Sequence, residues 1–233
     1  MKPGQGLKAL GTTLVFAGAA IATVMLSSPR GRAEDGEEGN DSRIEQGFDI
    51  APVPLNLDGK NRSLVGLGSY IVNAQADCDG CHSAGPPTEF VPGHNPYFRK
   101  QSEEINKATY LGGGRHFQIA GPNFPDIISR NLTPDRTGRP EGGHTFAEFV
   151  QIIRTGVDMD HVHPNCSATI TTNCFPTNPP NPPFDGDLLQ VMPWPIYKNM
   201  TDHDLRAIYE YLSAIPCIDT IIPGQPQLRN DCQ

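Results

Sequence analysis

An all-α fold, with few helices and long stiff loops, is the architecture that the 233-residue sequence predicts. Three observations lead there. Three segments repeat apolar residues with the period of a helix. No segment alternates apolar and polar residues as a half-buried strand would. The chain also carries 24 Gly and 23 Pro, and proline at about 10% is roughly twice its usual share. An apolar fraction of 37% is too high for wholesale disorder, and a net charge of −8 argues against a nucleic-acid backbone as partner.

Residues 1–33 have the pattern of an export signal. Lys2 and Lys8 precede an uncharged, mostly apolar run from Ala9 to Leu26, and Gly31-Arg32-Ala33 offers a small-residue cleavage site. The run is slightly short for a membrane span, and Gly11, Thr12, Thr13, Gly18 and Thr23 weaken it as a retained anchor. Cleavage would remove Lys2, Lys8, Arg30 and Arg32 and take the net charge from −8 to −12. Residues 34–57 read as an acidic linker, because the seven acids between 34 and 49 face only Arg43 and no apolar period runs through them.

The first helical period is Leu64, Leu67, Gly68 and Ile71, running to about Ala76. The second begins at a capping box formed by Thr145 and Glu148, continues through Phe146, Phe149, Ile152 and Ile153, and stops at Gly156. The third is capped by Thr201, has Asp202 and Asp204 in its first turn, and carries the stripe Leu205, Ile208, Tyr209 and Leu212 before Pro216. Gly/Pro-rich loops at 85–96, 112–114, 134–143 and 174–195 separate them. So few helices inside so much loop predict that something other than side chains fills part of the interior.

Cys78-Asp79-Gly80-Cys81-His82 follows the first helix directly. C-x-x-C-H is the attachment signature of c-type haem. Two thiols one turn apart can add to the two vinyl groups on one porphyrin edge, and the next imidazole can then bind the iron. A zinc site would need a second Cys/His pair at ligand spacing, which Cys166, Cys174, Cys217 and Cys232 do not offer. A thioredoxin-like dithiol belongs at a strand-to-helix junction, and no strand precedes this motif.

The sixth iron ligand separates electron carriage from chemistry at the iron. Met192, in Val191-Met192-Pro193-Trp194-Pro195 ahead of the last helix, is the leading candidate, since the prolines stiffen the backbone on either side. Met200 is its nearest rival. Met159, His161 and His163 cluster after the second helix and read as a polar surface turn, while His94, His116, His144 and His203 lack partner spacing.

With these residues in place, the chain resembles the class I c-type cytochromes. More narrowly, it resembles one domain of the haem-c subunits that accept electrons from periplasmic alcohol and gluconate dehydrogenases. The resemblance rests on Gly68-Ser69-Tyr70-Ile71 before the haem motif, Gly112-Gly113-Gly114, Ser129 to Asp135, Thr145 to Gly156, Met192-Pro193-Trp194, and Tyr209 to Leu212. It implies a cytochrome c-like helical fold around one covalently bound haem c. Cys78 and Cys81 would be the thioether sites, with His82 and Met192 the two iron ligands. It implies that the first and last helices cross where Gly68 lets Tyr209 or Leu212 approach. It also implies that residues 129–135 run along the haem, with polar groups there, or Trp194, bonding its propionates. Those subunits carry three haem motifs where this chain has one, and the 110 residues from His82 to Met192 exceed the span in small cytochromes c.

Four cysteines remain, and four allow three pairings. Pairing between sequence neighbours, Cys166 with Cys174 and Cys217 with Cys232, is the simplest arrangement in an oxidising compartment. The expected organisation is a signal peptide or anchor at 1–33, the acidic linker, a monohaem domain at 58–218, and a tail at 219–233 tied by a disulfide. The expected function is periplasmic electron transfer between redox proteins, from a dehydrogenase donor to a cytochrome or oxidase acceptor. Membrane contact is expected only if the N-terminal segment is kept. A haem enzyme or gas sensor with an open sixth position is the alternative.

Overall fold

The computed structural model describes residues 31–117, 127–160, 187–220 and 232. Helices dominate them: α1 (Gly31–Ile50), α2 (Arg62–Tyr70), α3 (Cys78–His82), α4 (Pro86–Glu89), α5 (Pro140–Gly143), α6 (Phe146–Thr155), α7 (Trp194–Tyr197) and α8 (Asp202–Leu212). The one sheet among the described residues pairs β1 (His116–Phe117) antiparallel with β2 (Ile127–Ile128), with His116 opposite Ile128. These two-residue strands are too short to leave an alternating pattern in the sequence.

The three helices with a clear period form where expected, and each is capped by its own side chains. The Asn61 carboxamide accepts from the Leu64 amide at the start of α2. Thr145 and Glu148 close a reciprocal capping box at α6, and Thr201 accepts from the Asp204 amide at α8. Beyond Tyr70 the helical path widens into a π-turn, Ile71–Gln75.

Helices α2 and α8 cross at the centre of the core, around the fully buried Val65, Leu67, Leu205, Tyr211 and Leu212. A Cβ on Gly68 would collide with the Ala207 carbonyl and the Tyr211 Cβ. The crossing therefore falls on Ala207 and Tyr211 rather than on Tyr209 or Leu212. Tyr209 faces α6 instead, its ring 5.4 Å from that of Phe146 and 5.7 Å from that of Phe149, and its hydroxyl donates to the His144 carbonyl.

Residues 31–50 correct the expectation of a linker across 34–57. They form a helix, and its last turns lie on α2. Ile44 and Phe48, four residues apart, pack on the core. Gly47 faces Gly66 closely enough that a Cβ on either would strike the other helix, and the Ser69 hydroxyl donates to the Gly47 carbonyl at 2.6 Å. Two apolar residues and a backbone-to-backbone approach suffice to dock this helix, and neither produces a visible period. A disulfide joins Cys217 to Cys232 and ties the C-terminal segment back beyond α8. Cys166, Cys174, His161, His163 and the apolar run at 9–26 lie outside the described residues. Among the described residues no helix is long and apolar enough to cross a membrane.

Candidate functional site

The haem-attachment signature is a turn of its own. Asp77 takes a left-handed conformation (φ 48°), breaking the chain after the π-turn so that Cys78–His82 can start afresh as α3. The loop at 109–115 then straps this turn from outside. The Leu111 amide donates to the Asp79 carboxylate at 2.8 Å, the Gly113 amide to the His82 carbonyl, and the Arg115 guanidinium to the Gly80 carbonyl. Asp79 is 7% exposed, and among the described residues its second carboxylate oxygen has no hydrogen-bond partner; burial pushes its pKa up to about 7.

His82 Nδ1 lies 2.7 Å from the Arg130 carbonyl oxygen. A carbonyl can only accept, so Nδ1 carries the proton and Nε2 keeps its lone pair for a metal. Burial holds the imidazole below its ordinary pKa and favours that neutral form. Cys78 and Cys81 are both outside any disulfide. Burial pushes the Cys78 thiol up to about 12 and raises Cys81 as well, against the attraction of Arg115. A redox-active dithiol needs the opposite shift, toward thiolate.

These residues open onto a cavity of about 290 Å³. Cys78, Cys81 and His82 line it together with Phe117, Ile127, Ile128 and Leu132. Leu189 to Pro193 and Tyr197 line it as well, so Met192 reaches the same cavity as His82 from 110 residues away. The Met192 strap is fastened to the end of α6 by the Leu189 amide on the Gly156 carbonyl (2.7 Å) and the Asp158 amide on the Asp187 carbonyl (2.9 Å). Gly156 adopts φ 72°, and a Cβ there would enter the Trp194 ring. Trp194 is thus committed: its indole N–H donates to the Leu189 carbonyl at 3.0 Å, and it does not line the cavity. Tyr197 closes the rim by donating to the Ala76 carbonyl at 2.9 Å.

A cavity walled mainly by apolar side chains fits a porphyrin. Two free thiols, an imidazole with Nε2 available and a thioether are the donors c-type haem requires. Met200 packs on the core without lining the cavity, and neither Met159 nor any of His94, His116, His144 and His203 lines it. Among the described residues, no group of three His, Cys, Asp or Glu side chains is placed to hold a metal ion.

The sequence reading set polar groups of 129–135 beside the haem without singling out Arg130, and it missed Glu141 and the partners of Arg130. Arg130, only 9% exposed at its side chain, forms an ion pair with the buried Asp158 and a second with Asp160 at 2.9 Å. Asp160 also lies 3.6 Å from His144 Nε2. Glu141 and Arg130 both line the cavity. The signal available was Arg130 itself, a lone cation in an otherwise polar-neutral and apolar run from Ile127 to Pro134; its partners are distant in sequence.

Helix-rich architecture with few strands is consistent with an all-α cytochrome fold. The chain resembles the cytochrome c subunits of alcohol, fructose and gluconate dehydrogenases. It is 27% identical over 149 residues to the "Alcohol dehydrogenase (quinone), cytochrome c subunit" of Gluconacetobacter polyoxogenes, covering 64% of this chain and 21% of that one. With the "Fructose dehydrogenase cytochrome subunit" of Gluconobacter japonicus it shares 24% over 161 residues, 69% of this chain and 22% of that one. With the "Gluconate 2-dehydrogenase cytochrome c subunit" of Pantoea cypripedii it shares 27% over 155 residues, 66% and 24%. The chain therefore spans between a fifth and a quarter of the length of the curated relatives it matches. No protein-family profile matches it, and no solved structure does.

Proposed function

We propose that the protein is a monohaem c-type cytochrome that passes single electrons between redox proteins. Cys78 and Cys81 would hold haem c by thioether bonds, and His82 and Met192 would bind its iron. One observation carries this reading: an imidazole with its Nδ1 proton committed to a carbonyl shares an apolar cavity with a thioether brought in by a fastened strap. When bound, the haem supplies one-electron iron chemistry, and His/Met ligation raises its potential. The chain's own part is to hold His82 and Met192 still and exclude water from the cavity, and no group needs to act as a nucleophile. The resemblance to dehydrogenase cytochrome subunits supports a dehydrogenase as donor and a cytochrome or oxidase as acceptor. The Cys217–Cys232 disulfide favours an oxidising, periplasmic location. Residues 1–33 either direct export or anchor the chain to the membrane.

Optical spectroscopy of the full chain with Met192→Ala tests the proposal. The native protein should show the weak ferric–thioether band toward the red and resist carbon monoxide when reduced. Met192→Ala should lose the band and bind carbon monoxide. Ready binding by the native protein would replace the carrier with a haem enzyme or gas sensor.

A further inference from the structure

One wall of the cavity carries an acid that electron carriage does not require. Arg139-Pro140-Glu141-Gly142-Gly143-His144 turns sharply, with Glu141 at φ 53°, ψ 54° and the next two glycines also at positive φ. A residue with a Cβ is uncommon there and signals a conformation held by its surroundings. The turn is closed by the His144 amide on the Pro140 carbonyl (3.1 Å) and by Asp135, whose amide donates to the Arg139 carbonyl (2.9 Å). The result places the Glu141 side chain on the same cavity as His82 and Met192.

Charged groups reach Glu141 from three elements. His144 comes from its own turn, Arg130 from the loop after β2, and Asp158 and Asp160 from the segment after α6. Arg130 and His144 attract the carboxylate, and the two aspartates repel it. Arg130 already serves Asp158 and Asp160, and His144 sits 3.6 Å from Asp160. Three carboxylates therefore share one guanidinium and one imidazole beside an apolar cavity, and among the described residues Glu141 has no hydrogen-bond partner of its own. Removing one positive charge from such a cavity favours putting a proton back.

We infer that Glu141 is a redox-linked proton site, taking one proton from solvent when the haem cavity gains an electron and returning it when the electron leaves. The inference rests on the electron-carrier reading. The electron comes from a reduced partner protein, the proton from water, and the only bond made or broken is the carboxyl O–H. The surroundings suit the role: burial, the largest influence, pushes the Glu141 carboxyl up to about 7, where it can change state near neutrality. An ionised carboxylate favours the oxidised, more positive cavity. The midpoint potential should therefore fall as pH rises through the neutral range and flatten on either side.

The test is redox titration of the haem-loaded full chain from about pH 5 to 9, with infrared difference spectra between the two oxidation states. Glu141→Gln should flatten the neutral segment and raise the potential on its alkaline side toward the acid-side value. A protonated-carboxyl band gained on reduction should vanish in the same variant. His144→Asn removes an attraction that keeps the carboxyl ionised, so the fall should move to higher pH. A Glu141→Gln protein that keeps the native pH slope, or keeps the carboxyl band, would overturn the inference and assign the proton to another group. A chain that carries no haem would remove the electron-carrier reading as well. A haem-loaded, Met-ligated chain with a pH-independent potential removes this inference alone.

Discussion

The two walls of the cavity are built on different principles. The Cys78–His82 wall is gripped from outside by groups that touch the motif itself. Asp79, Gly80 and His82 are each bonded to the 109–115 loop, and the His82 imidazole to Arg130. The Met192 wall is suspended between anchors at Gly156–Asp158 and at Ala76, and among the described residues none hydrogen-bonds the Met192 side chain itself. A wall gripped at the ligand holds its geometry whatever occupies the cavity. A suspended strap would set the approach of Met192 through its two fastenings. Changes on the first wall should therefore abolish attachment, whereas changes on the second should alter ligation and leave attachment intact.

The sharpest way to break that comparison is to remove the thiols. Cys78→Ser with Cys81→Ser should eliminate covalent haem completely, read as loss of haem colour on a denaturing gel. Colour that survives would place attachment elsewhere. Next comes Asp158→Ala, which strips the buried partner from Arg130, the residue whose backbone carries His82. Breaking a buried ion pair on one side costs about 3–5 kcal/mol. Chemical unfolding should show a loss of that size, reduced to the extent that Asp160 compensates. The smallest effect should come from Gly156→Ala. Its methyl group would press on the Trp194 ring at a positive-φ position and cost about 1–3 kcal/mol. The thioether band should weaken or disappear while haem content stays constant. Loss of haem from Gly156→Ala would show that the two walls are not independent.

Much of this was readable along the chain, for a local reason. Caps, helical periods and C-x-x-C-H act over one to four residues, so Thr145, Thr201 and the motif announce their structures from sequence alone. The Cys217–Cys232 bridge was also legible, because sequence neighbours meet most readily. What escaped notice depends on contacts across long separations. The His82–Arg130 bond joins residues 48 apart, and Arg130 reaches Asp158 across 28 more. Helix α1 was hidden differently: its docking uses two apolar side chains and a pair of glycines, and acidic composition masks both. An indole beside a methionine suggests a cofactor contact, whereas the Trp194 N–H donates to the Leu189 carbonyl and its ring lies over Gly156.

By itself the sequence determined three helices, the Thr145 and Thr201 caps and the Cys217–Cys232 pairing, and it supplied the motif on which the proposed haem site rests. All of these depend on side chains acting on near neighbours or on a fixed spacing. Only the tertiary structure decided which carbonyl orients His82, which strap delivers Met192, and which acid faces the cavity. A backbone carbonyl carries no signature of its residue type. The position of Glu141 follows from a turn whose conformation is imposed by the groups packed around it. Spacing can specify a ligand set, but the electrostatic setting of that set is a sum over groups that only folding brings together.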